Sequence, residues 1–108
     1  MAMEKQYLYL ADVAGQLPEI PKDSILSVSV LKEDKLDVTL FRFDAGQELS
    51  THTSAFPSIV QALSGEATMM VGKDKVLLKP GSYLYIAPGL PHALVCKTPF
   101  TMLITLVK

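Results

Sequence analysis

Apolar and polar residues alternate along much of this chain with the period of two expected of half-buried β-strands. Leu26, Val28 and Val30 interleave with Ser27, Ser29 and Leu31, and the run ends in a polar turn, Lys32-Glu33-Asp34-Lys35. The next segment, Leu36 to Phe43, sets Val38, Leu40 and Arg42 on one face and Thr39, Phe41 and Phe43 on the other. Gly46 breaks that strand, and a polar loop is expected from there through His52 to Pro57. Ile59 to Leu63 reads as a strand stopped by Ser64-Gly65, and Ala67 to Val71 with Val76 to Leu78 reads as a hairpin turning at Gly72-Lys73-Asp74. Tyr83 to Ile86, Ala93 to Cys96 and Phe100 to Val107 continue the series. The aromatic stretch Tyr7-Leu8-Tyr9-Leu10 predicts one more short strand, ahead of a loop that holds Pro18 and Pro21.

Strands recur roughly every 8 to 12 residues with Gly or Pro between them, the rhythm of a sandwich or barrel. The gaps hold no helix long enough to cross over a parallel sheet. The expectation is therefore an all-β fold, a jelly-roll β-barrel of about eight to ten strands, with residues 1–108 forming a single domain.

Composition narrows the function classes. A hydrophobic fraction of 49% against 19% charged residues belongs to a folded domain. Ten basic and 11 acidic residues give a net charge of -1, and no basic stripe forms, so neither nucleic acid nor an anionic membrane is expected as a partner. No apolar run approaches the ~20 residues of a membrane helix. The opening MAMEKQYLYL lacks a signal-like apolar core with a small-residue cleavage site, which makes the cytoplasm the expected location. Cys96 is the only cysteine, so no intrachain disulfide and no thiolate-rich zinc site can form.

His52 and His92 are the only imidazoles, and each lies in a segment punctuated by Gly and Pro. Thr51, Thr53, Ser54 and Ser58 surround the first. The two segments resemble the two conserved motifs of the cupin superfamily. Gly46, His52 and Gly65 match the first motif without a gap, while its second histidine falls on Ser54 and its glutamate on Ser58. Gly81, Gly89 and His92 match the second, with Ala87 and Pro88 showing its proline displaced by one and Cys96 standing where an asparagine is usual. The resemblance runs from about Leu36 to Cys96 and implies the cupin-type jelly-roll barrel.

Metal-binding members hold a divalent ion with three histidines and a carboxylate, a set suited to Zn, Mn, Fe, Ni or Cu. Here the resemblance implies an incomplete set, His52 and His92 with two serines. A neutral hydroxyl brings no charge to offset the dehydration of the ion. Cys96 shares the parity of His92, yet four residues at ~3.3 Å separate them by roughly 13 Å, too far to grip one ion. It is expected as a small buried hydrophobe, or else as a group that lines the cavity or is reactive. Gln61 has the opposite parity to Ser58, Val60 and Ala62 and reaches a pocket only if a bulge near Pro57 turns it inward.

Arg42, inside an apolar strand, either anchors an anionic ligand group or makes an ion pair at a rim or interface. Tyr85, with Tyr83, lines a cavity mouth or packs in a core or subunit interface. Ser58 lacks the strained Gly-x-Ser-x-Gly turn of a hydrolase nucleophile. The site residues expected are thus His52 and His92 for acid/base or metal chemistry, with Ser54, Ser58, Arg42, Gln61, Tyr85 and Cys96 as ligand contacts. Three functions stay open: a small-molecule-binding cupin centred on the two histidines, a metal-assisted isomerase, lyase or oxygenase acting on a sugar-like or organic-acid substrate, and a structural homodimer with a vestigial pocket. Whether the chain is an enzyme is left open with them. The aromatic N-terminus and the strands apolar on both faces make a homodimer the expected assembly.

Overall fold

The alternating segments pair into antiparallel ladders. In the computed structural model, which describes residues 6–108, the strands are β1 (Ile25–Glu33), β2 (Leu36–Phe43), β3 (Glu48–His52), β4 (Ser58–Ser64), β5 (Ala67–Val71), β6 (Asp74–Leu78), β7 (Tyr83–Ile86), β8 (His92–Val95) and β9 (Phe100–Val107). The one helical element among these residues is a 3-10 turn at Ala14–Gln16. One sheet has the order β1-β2-β9-β4-β7 and the other β3-β8-β5-β6. Only β1–β2 and β5–β6 are sequence neighbours, and every other ladder joins distant strands. No ladder links the two sheets among the described residues, so the expected barrel is a two-sheet jelly roll, open between its sheets.

Two expectations are corrected. Tyr7 to Leu10 forms no strand, and Tyr7, Leu8 and Tyr9 are exposed: the five-stranded sheet ends at β1, so the stretch lies outside both sheets. Glu48 to His52, expected as loop, is the edge strand β3; its residues other than Leu49 are exposed, and its partner β8 lies forty positions downstream. Pairing, not local alternation, makes it a strand.

The inward faces pack Phe43, Val60, Ala62, Ala67, Met69, Leu78, Leu94, Cys96, Phe100 and Met102 into one core. Phe43 sits between Phe41, with ring centroids 6.0 Å apart, and Phe100, at 6.2 Å. Register carries a gradient along the sandwich. The Phe43–Phe100 pair lies at one end, Phe41–Met102–Ala62 comes next, then Thr39–Ile104–Val60, and Leu106–Ser58–Ile86 lies at the other end. His52 and His92 stand across from this last, more polar end.

The outward face of β2 explains Arg42. Its guanidinium donates to the carbonyls of Ala14 (2.7 Å), Leu17 (2.8 Å) and Pro18 (2.5 Å), and its Nε donates to Thr101 Oγ1 (3.2 Å). These bonds strap the N-terminal segment over the outside of the sheet, where Leu40, on the same face, is fully buried.

Candidate functional site

His52 closes β3 and His92 opens β8, and the two are direct cross-strand partners, after a register shift between Leu49 and His52. Side chains directly opposite on one face have Cβ atoms about 5 Å apart, which brings the rings together. Their centroids are 4.3 Å apart, with the planes at 64°. Each ring is oriented by its own strand: His52 Nδ1 lies 2.8 Å from the Ser50 carbonyl and His92 Nδ1 2.9 Å from the Leu90 carbonyl. A carbonyl can only accept, so Nδ1 carries the hydrogen in both, and in the neutral ring Nε2 keeps its lone pair. His92 is buried and His52 exposed, so the pair runs from the interior to the surface.

The rings border a cavity of about 310 Å³ between the two sheets. Ser54 and Ser58 line it with them, as do Thr39 and Thr53. Ser54 Oγ accepts the Phe56 amide (3.2 Å), and the Ser54 carbonyl accepts the Gly89 amide (2.8 Å), which ties together the loops that carry the two histidines. Ser58 is buried, and its hydroxyl meets the Phe56 carbonyl only at 3.5 Å, a weak bond that leaves it available to a ligand. The remaining walls are apolar side chains of both sheets, Phe41, Val60, Met69, Leu94, Met102 and Ile104 among them. No Asp, Glu, Lys or Arg lines the cavity.

Four expected ligand contacts lie elsewhere. Arg42 faces outward, bonded to the N-terminal segment and to Thr101, so it does not line the cavity, and among the described residues it makes no ion pair. Gln61 is exposed, as plain alternation demands with no bulge between Ser58 and Gln61. Tyr85 is paired with Ile59 on the same outward face and is 55% exposed. Cys96 is fully buried below the cavity, its thiol donating to the Gln47 carbonyl at 3.1 Å. Burial pushes that thiol above its ordinary 9.0; the Gln47 backbone opposes this and the Asp44 charge adds to it. Thr39, Phe41 and Leu49 are lining residues that sequence reasoning did not assign to the site. The shared parity of Thr39 and Phe41 was visible, but both faces of β2 are apolar enough to be the inner one.

Residues 39–107 match the family model described as a cupin domain. The chain belongs to the cupin family. Among solved structures, this cupin is similar to a conserved protein of unknown function from Streptococcus pyogenes, with 29% identity over 96% of this chain and 90% of the other and a TM-score of 0.84. It is also similar to a cupin superfamily protein from Desulfitobacterium hafniense, with 25% identity over 88% and 86% of the two chains and a TM-score of 0.83. A salicylate 1,2-dioxygenase from Pseudoaminobacter salicylatoxidans shares the fold at 15% identity, over 87% of this chain and 29% of that one, with a TM-score of 0.74. No match was found among curated proteins.

Cupins commonly hold a metal, and the donor set here does not fit one well. Two imidazole Nε2 atoms are free, but among the described residues no third His, Cys, Asp or Glu joins them. The motif positions that would complete the set carry the neutral Ser54 and Ser58, in a cavity without a carboxylate. A divalent ion bound there would keep its full charge beside apolar walls, an unfavourable exchange for hydration water.

Proposed function

We propose that this cupin binds a small molecule in the cavity between its sheets, with His52 and His92 as the recognition pair. The observation that carries the reading is the orientation of the two rings, each held by a backbone carbonyl through Nδ1 so that both Nε2 atoms are left as acceptors at the cavity. Preset acceptors beside an apolar enclosure are the usual furnishing of a small-ligand site. The same atoms could take a proton from a bound hydroxyl, which keeps acid/base catalysis within the reading.

The test is a thermal-shift screen of a chemically diverse compound set against the wild type, His52→Ala and His92→Ala. Ligands raise the melting temperature by mass action. Compounds that stabilise the wild type are expected to lose that effect in both variants. Hits that stabilise all three proteins equally, or no hits at all, would sink the proposal.

A metal-assisted isomerase, lyase or oxygenase is the second reading, favoured by the adjacent free Nε2 atoms. Stoichiometric divalent metal in protein purified without a metal-affinity resin would move the conclusion toward it.

We also infer a homodimer. Tyr85, Ile59 and Thr105 form one cross-strand row on the outer face of the five-stranded sheet, next to Tyr83 and Gln61. Tyr83 and Tyr85 are well exposed, and these five residues carry no charge. An uncharged face with two exposed aromatic rings can meet its own image across a two-fold axis without like-charge opposition.

A further inference from the structure

The small-molecule reading leaves the class of ligand open, and the walls of the cavity narrow it. A carboxylate or phosphate entering here would give up its hydration without meeting a Lys or Arg, since none lines the cavity and Arg42 is spent on backbone carbonyls outside the sheet. The ion pair nearest in register, Lys108 with Asp37 at 3.1 Å, neutralises itself. A sugar fares no better. Its several hydroxyls would find polar partners only at His52, His92, Thr39, Thr53, Ser54 and Ser58, and each one left unpaired against Phe41, Val60, Met69, Leu94, Met102 or Ile104 costs about 1–3 kcal/mol.

Size gives a second bound. An apolar cavity of roughly 150 Å³ holds one benzene ring. At about 310 Å³ this one has room for two fused rings or an aliphatic group of similar bulk.

Polarity gives the third. The imidazoles present acceptors, not donors, because each Nδ1–H is already committed to a carbonyl. A ketone, ether or nitrile therefore offers the neutral pair nothing it can bond. An alcohol, phenol or amine N–H donates to Nε2 directly.

Resting on the proposal that the cavity is a ligand site, we infer that its occupant is a neutral, largely apolar molecule of about two-ring size. It carries one hydrogen-bond-donor head, accepted by Nε2 of His52 or of His92, while the body lies against the walls of both sheets. This class differs from the sugar-like or organic-acid ligand that the family resemblance suggested.

Four probes of graded chemistry test it by fluorescence and calorimetric titration of the intact protein: 2-naphthol, 2-methoxynaphthalene, 2-naphthoate and glucose. The expected result is saturable one-site binding of 2-naphthol, at least about tenfold tighter than its methyl ether, the difference made by one neutral hydrogen bond and the acceptor its loss leaves unpaired. Naphthoate and glucose are expected not to bind at millimolar concentration. In a His52→Ala/His92→Ala double variant, naphthol affinity should fall to that of the ether, with the ether unchanged.

Ether and naphthol binding equally to the wild type would overturn the donor-head requirement. Naphthoate or glucose binding more tightly than naphthol would overturn the neutral class, and if that binding needed the histidines, the ligand site itself would stand. Failure of both neutral aromatic probes to bind overturns the inference as well. If the thermal-shift screen then also yields no histidine-dependent hit, the small-molecule reading falls with it.

Discussion

At the scale of single residues, the decisive contrast is between two kinds of potentially reactive side chain. His52 and His92 are held by local bonds to carbonyls two positions earlier, so their orientation depends on their own strand ends and survives substitution elsewhere. Cys96, the one thiol, is withdrawn from chemistry. With no exposed surface and a pKa raised by burial above 9.0, it stays protonated at neutral pH, where a thiol is a poor nucleophile. The native protein should react with a disulfide reagent far more slowly than the urea-unfolded chain. The raised value also sets a sign. The native state holds the thiol proton more tightly than the unfolded chain, so its contribution to stability is complete below about pH 9 and is lost as the pH rises through the folded value. Urea midpoints measured from pH 7 upward should fall more steeply in the alkaline range for the wild type than for Cys96→Ala. Parallel alkaline limbs would contradict this account.

At the scale of elements, the turns decide as much as the strands. Gly65, between β4 and β5, has a positive φ of 75°, and a Cβ there would lie 1.9 Å from the Pro99 carbonyl oxygen. The backbone of one turn rests directly on the other, and Thr98 Oγ1 completes the clasp by accepting the Glu66 amide at 3.1 Å. Gly46 has a φ of 84°, but a Cβ would meet nothing within 4 Å. Gly65→Ala should therefore cost about 3 kcal/mol, from strain and steric overlap together. Gly46→Ala should cost about 1 kcal/mol, from the left-handed backbone alone. At about 5 °C per kcal/mol for a domain of this size, the melting temperatures should drop by about 15 °C and about 5 °C. Equal drops would refute the close approach. Both glycines were visible in the sequence as motif positions, yet only the contact with Pro99 separates them. The same holds for β3: the pattern Glu48-Leu49-Ser50-Thr51-His52 carries a single apolar side chain, and its strand character comes from hydrogen bonds to β8.

At the scale of the whole molecule, two sheets with mostly long-range ladders enclose a cavity at one end and a solid aromatic core at the other. The outward face of the five-stranded sheet divides as well. Arg42 binds the N-terminal strap over one part, while Tyr83 and Tyr85 leave another part open to a second copy. Light scattering at micromolar concentration should give twice the chain mass of 11.8 kDa, and Tyr85→Lys should return it to the monomer value. A monomeric wild type would remove the dimer. Period-two alternation and turn residues by themselves determined the all-β class and the course of most strands, because these depend on local sterics, while the motif resemblance singled out His52 and His92 as candidates and only the β3–β8 ladder made them neighbours. Which face of each strand points inward was decided only by tertiary packing, since β2, β4 and β9 are apolar on both sides. So was the placement of Arg42, Tyr85 and Cys96 outside the cavity, because whether a side chain meets a ligand, a carbonyl or solvent depends on neighbours far away in the chain, whereas Gln61 follows the plain alternation of β4.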